Sequence, residues 1–160
     1  MEITVVIAMN TFRTEIPPVE NRNVSIHDKL LSEIVCGPDY VKFVFKDGFD
    51  ILEEDGEKSV PTGHIVFESS NSSSFSCYIV KRKPSPTGEK FCGREISLQK
   101  LNYMLKKGDY SIQVYTELYD YNHIFWCGEL CPMRRTLFRR LPTVVAIDAM
   151  DFFPMVYSWE

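Results

Sequence analysis

Three residues of this 160-residue chain have types and spacing suited to holding a metal: His123, Cys127 and Cys131, four positions apart. On a helix they would line one face, and an imidazole with two thiolates is a competent zinc set. A fourth ligand would have to come from Cys92 or Cys77, neither of which sits in a close cysteine pair. Phe125, Trp126 and the turn before them favour a strand, on which positions four apart share a face but are separated by roughly 13 Å. Cysteines packed within a sheet are the leading expectation here. A zinc-stabilised regulatory or suppressor protein that binds host protein or RNA is the alternative.

A second chemistry is anion binding. Arg134, Arg135, Arg139 and Arg140 fall within seven positions, with Leu137 and Phe138 between them, and Lys81-Arg82-Lys83 and Lys106-Lys107 form shorter clusters. Converging on one surface, such residues would contact anionic headgroups or a phosphate backbone, with an aromatic ring inserting or stacking. The plainer expectation is a short turn anchored by Leu137, Phe138 and Leu141 with its arginines in water. Phe152, Phe153, Tyr157 and Trp159 near the C-terminus are a candidate partner-binding surface, or else dock on the sheet as a final strand.

Other catalytic patterns are missing. The three histidines (His27, His64, His123) stand in unrelated contexts, no serine or cysteine sits in a nucleophile elbow, and the glycines are scattered singly. Asp47, Asp50, Glu53, Glu54 and Asp55 lack the alternation of a calcium loop. The expectation is a non-enzymatic protein with no cofactor and no small-molecule substrate, acting through its surface.

Composition sets the class. A 44% hydrophobic share with 25% charged residues is that of a globular chain, and eleven Phe, eight Tyr and two Trp supply bulky core material. A net charge of −4 argues against a dedicated nucleic-acid binder. Five cysteines at irregular spacing read as free thiols in a reducing compartment, and the apolar start at residues 2–8 lacks the basic segment and cleavage site of a signal peptide. A cytoplasmic location follows as the expectation.

The elements that would position these groups can be read from periodicity. Strands are expected at 2–8, 12–16, 40–45, 49–52, 64–68, 75–83, 110–119, 123–127 and 143–149. Lys46-Asp47-Gly48 reads as a hairpin turn joining 40–45 to 49–52, residues 53–63 as an acidic loop, and 84–88 as a solvated loop. Ser25 as N-cap, the stripe of Ile26, Leu30 and Ile34, and Gly37-Pro38 as a stop predict a helix over 26–36. Ser97, the stripe of Leu98, Leu101, Met104 and Leu105, then Lys106, Lys107 and Gly108, predict a second. In strand 110–119, Tyr110, Ile112, Val114, Thr116 and Leu118 share one face. The expected architecture is one α+β domain over residues 1–160: a largely antiparallel sheet of about six to eight strands with two helices packed on it.

The segment Leu105-Lys106-Lys107-Gly108-Asp109-Tyr110-Ser111-Ile112-Gln113-Val114, followed by Leu118-Tyr119-Asp120, resembles part of a rhabdovirus matrix protein. That resemblance covers about a third of the chain. It implies a viral structural protein that self-associates, contacts the inner membrane leaflet and binds a nucleocapsid.

Overall fold

Short apolar–polar alternation recurs along the chain, and the described residues fold mostly into strands. The computed structural model describes residues 10–14, 24–120, 123–133, 143–150 and 154–159. The strands are β1 (Asn10–Thr14), β2 (Val24–Ser25), β3 (Leu30–Cys36), β4 (Tyr40–Phe45), β5 (Phe49–Glu53), β6 (Gly56–Val60) and β7 (Gly63–Glu68). After a 3-10 turn at Ser72–Ser74 follow β8 (Phe75–Ser85), β9 (Gly88–Ile96), helix α1 (Leu98–Gly108), β10 (Tyr110–Asp120), β11 (His123–Pro132), β12 (Thr143–Ala149) and β13 (Met155–Trp159). Ten strands form one antiparallel sheet in the order β1-β13-β7-β4-β3-β10-β11-β12-β8-β9, and β2-β5-β6 form a second.

This corrects the expected α+β class. Among the described residues the protein is mostly β, with one α-helix and a main sheet larger than six to eight strands. The helix expected over 26–36 is β3 and the turn before it. Leu31 and Ile34 are fully buried although three residues apart, because β3 bulges between Leu31 and Glu33 where it pairs with β4. An inserted residue shifts the alternation by one, so the burial pattern imitates a helical period. Ser32 secures the bulge by donating its hydroxyl to the Val44 carbonyl at 3.1 Å. Asp28, with φ +62°, and Ser25, whose hydroxyl accepts the His27 amide at 3.2 Å, form a turn.

The same device reverses β10. Ile112 and Val114 are buried, but the ladder with β11 shifts between Val114 and Thr116. Beyond that bulge Leu118 is 58% exposed and the Tyr119 hydroxyl lies inside. Gly128 faces the bulge, and a Cβ there would stand 2.1 Å from the Gln113 carbonyl oxygen.

Two further expectations change. The turn at Lys46-Asp47-Gly48 forms, but it sends the chain into the second sheet: β4 pairs with β3 and β7, while β5 pairs with β2 and β6. Gly48 permits this with φ +69°, and a Cβ there would lie 1.8 Å from the Val60 carbonyl oxygen. The acidic segment after Leu52 is the β5–β6 hairpin. The expected strand at 2–8 lies outside the described residues.

The main sheet curls over on itself. Phe67 on β7 and Phe75 on β8 are six strands apart in the ladder, about 29 Å on a flat sheet, yet their ring centroids are 5.2 Å apart. Phe43 on β4 and Trp126 on β11 meet at 5.1 Å. These four rings, packed edge to face, are the centre of one continuous core that also takes in Val24, Ile26, Phe49 and Val60 from the smaller sheet and its approaches.

Helix α1 follows its sequence signals. Ser97 caps it by accepting the Lys100 amide at 3.2 Å, and Leu98, Leu101 and Leu105 are buried. Asp109, in the left-handed region, provides the C-cap expected of Gly108. The helix packs on β3, β10 and β8, and its Asn102 accepts the Ile34 amide at 3.0 Å, just past the β3 bulge.

Candidate functional site

β8 is eleven residues long, but its partner β12 reaches only from Phe75 to Lys81. Past Lys81, β8 is paired among the described residues with β9 alone, so residues 82–91 extend from the described sheet as a two-stranded ribbon turned at Pro86-Thr87. The residues expected to form a loop at 84–88 are thus the tip of a hairpin. Gly88, with φ +121°, takes a backbone conformation that L side chains rarely adopt.

Strand alternation sorts the charges of this hairpin. Residues directly paired across an antiparallel ladder project from the same face. Ile79–Arg94, Lys81–Cys92 and Lys83–Lys90 are such pairs, so Lys81, Lys83, Lys90 and Arg94 share one face with no carboxylate on it. All four are exposed, and none has an ion-pair partner among the described residues. The opposite face carries Tyr78–Glu95, Arg82–Phe91 and Pro84–Glu89. There Arg82 is paired with Glu89 and lies 5.8 Å over the Phe91 ring. Residues 81–94 hold five cations and one carboxylate, net +4, in a chain of net −4. Such segregation generates a local positive potential that the net charge conceals.

The cationic face runs toward a shallow cleft where β9 meets α1. Ile96 projects from the same face as Arg94, and with Phe75 it forms the apolar part of the cleft. Ser72, Ser73, Ser97 and Gln99 supply hydroxyls and an amide around it, and Glu95 adds one carboxylate to the lining. Its volume is about 460 Å³.

The other expected site residues are placed differently. Arg134, Arg135, Arg139, Arg140, Phe152 and Phe153 lie outside the described residues. Tyr157 and Trp159 belong to β13, which is hydrogen-bonded between β1 and β7, and both rings pack edge to face on Phe49 at 5.8 Å. Tyr157 is 1% exposed, so Met155–Trp159 docks as a strand and this part of the partner-binding expectation is corrected. Lys106 and Lys107 are engaged elsewhere, with Glu33 at 3.0 Å and over the Tyr103 ring at 5.3 Å.

His123, Cys127 and Cys131 share a face of β11, extended over eight residues or about 26 Å, too far to hold one ion. His123 pairs with Asp148 on β12, and Cys131 lies against Gln113. Among the described residues no three His, Cys, Asp or Glu side chains gather as a metal site. Burial raises the thiols of Cys36, Cys127 and Cys131, and pushes Cys77 to about 12.

Lys90 and Arg94 lie outside the expected basic clusters, because the sequence around 88–96 carries no clear strand alternation. Their signal is the symmetry about Pro86-Thr87, which sets Lys83 opposite Lys90 and Lys81 two pairs from Arg94. Residues 105–120 form the last turn of α1, its Asp109 cap and β10. The chain matches no family of known proteins, no curated protein and no solved structure.

Proposed function

We propose that this is a non-enzymatic interaction protein that engages an anionic macromolecule through the β8–β9 hairpin. The observation that carries this reading is the face of four exposed cations, Lys81, Lys83, Lys90 and Arg94, without a neutralising carboxylate, in a protein that is otherwise acidic. Surface cations are ordinarily interspersed with carboxylates, and a one-sign stripe is a feature of surfaces that steer an oppositely charged partner. A passive role is also supported by the cleft, whose lining is hydroxyl, amide and apolar apart from Glu95. Five free thiols favour a reducing compartment such as the cytoplasm. No described helix is long and apolar enough to cross a membrane.

Heparin chromatography tests the reading with a polyanion of no particular sequence. The wild-type protein is retained despite its negative net charge and elutes with salt. A Lys81→Glu/Lys83→Glu/Lys90→Glu variant, altered only at exposed positions, passes in the void. Equal retention of the two proteins would refute the assignment.

A further inference from the structure

The chemistry of the partner can be taken one step further, on the basis of the cationic face just described. We infer that β9 accepts an extended, acidic peptide segment of another protein as an added strand, with an apolar side chain of that segment seated in the cleft at Phe75 and Ile96.

Three independent observations converge on β9. It ends the ten-stranded sheet and has no neighbour beyond β8 among the described residues, and eight of its nine residues are exposed. An edge of that kind presents a row of backbone donors and acceptors that an extended chain can satisfy. Its cationic side chains, Lys90 and Arg94, flank Cys92 on one face, with Lys83 paired behind Lys90 and Lys81 behind Cys92 on β8. A peptide with carboxylates at alternate positions would set them beside these cations, in the geometry that stabilises cross-strand pairs. The same face ends at the cleft: Ile96 follows Arg94 by two residues, and Lys90 to Ile96 spans about 20 Å of strand, a length that suits a peptide of seven or eight residues. Main-chain pairing would supply affinity, and the charges and cleft would select the sequence.

The placement of Phe91 discriminates among anions. It is 66% exposed, but it projects from the face opposite the four cations. A lipid surface or a single-stranded nucleic acid is held best where aromatic and cationic groups act from one side. A second copy of this chain is also disfavoured, since a two-fold β9–β9 pair would double the unpaired cations on one continuous face.

The test uses the full chain and fluorescence anisotropy with labelled probes: the peptide Leu-Val-Glu-Val-Glu-Val-Glu-Val, whose first residue shares the face of its glutamates and meets the cleft when antiparallel to β9, the same peptide N-methylated at every odd amide or at every even amide, and a twenty-nucleotide oligothymidylate. Phosphatidylserine vesicles are tested by flotation. Strand addition uses only alternate peptide amides, so one methylated peptide binds like the parent and the other binds at least about tenfold more weakly. Lys90→Glu/Arg94→Glu reduces parent-peptide affinity by about tenfold or more, whereas Lys58→Glu, on exposed β6, leaves it unchanged. Equal binding of both methylated peptides, or binding of oligothymidylate or vesicles without the peptide, overturns strand addition while the cationic face stands. Absence of binding to every probe overturns both.

Discussion

Trp126 donates its indole N–H to the Tyr119 hydroxyl at 3.2 Å, and Tyr119 donates in turn to Glu117 at 2.9 Å. The same carboxylate receives the Ser25 hydroxyl and the Ile26 amide, so one acidic side chain on β10 fastens the β2–β3 connection to the core. Burial, then the neighbouring Tyr157 and Glu117, hold the Tyr119 phenol well above its ordinary range.

Tyr119→Phe leaves the Trp126 N–H without its acceptor and should cost about 1–3 kcal/mol, read as a fall of several degrees in Tm. A second consequence concerns alkali. With the folded pKa raised, Tyr119 contributes stability below its unfolded value near 10, and that contribution is lost as pH rises further. The Phe variant should therefore lose less stability between about pH 9 and 11 than the wild type, by urea denaturation. Parallel pH profiles would refute this role.

The ion pair between Lys29 and Asp50, at 2.7 Å, links the approach to β3 with the second sheet. Burial alone would raise the Asp50 carboxyl, but hydrogen bonds from Lys29 and Ser59 and the Lys29 charge bring it below its usual value. Its contribution is thus present above the unfolded carboxylate pKa of about 4 and is lost as pH falls through the folded value. Asp50→Asn should lower stability at pH 7 and flatten its decline below pH 4. An unaltered acid limb would show that the pair contributes nothing measurable.

Thiol labelling should separate the cysteines. Cys92 is exposed on β9, whereas Cys77 is buried in the core with its thiol pushed to about 12, by burial first and then by Cys36 and Glu95. Since the thiolate is the reactive species, brief iodoacetamide treatment of the native protein at pH 8 should alkylate Cys92 and spare Cys77. Peptide mass spectrometry reads the result, and early modification of Cys77 would contradict the packing.

Gly48→Ala places a side chain at φ +69° and against the Val60 carbonyl. Left-handed backbone alone costs about 1–2 kcal/mol for an L residue, and the clash adds to it. A loss of stability on the order of 2 kcal/mol or more is expected in denaturant unfolding. A neutral effect would mean that the β4–β5 turn adjusts freely.

The elements legible in the sequence were those whose local signals agree with their tertiary setting. Helix α1 has a cap, an apolar stripe and a stop in register, and β4, β7 and β12 alternate without interruption. Bulges defeated the rest. At Ser32 an extra residue made β3 look helical, and near Tyr115 another turned Leu118 outward and Tyr119 inward, since periodicity assumes an unbroken pleat. Of the candidate site, Lys81 and Lys83 were visible as a basic cluster. Lys90 and Arg94 were hidden because proline, serine and glycine at 84–88 read as a loop, when they build a tight turn.

β13 sits between β1 and β7, and its pairing of Asn10 with Trp159 joins residues far apart in sequence. Loop-closure entropy must be met before such a pairing is rewarded. During synthesis β1 and β7 therefore lack the neighbour they share until residues 155–159 have left the ribosome. Until then the nascent chain holds two strand margins open, the kind of edge that another extended chain can join.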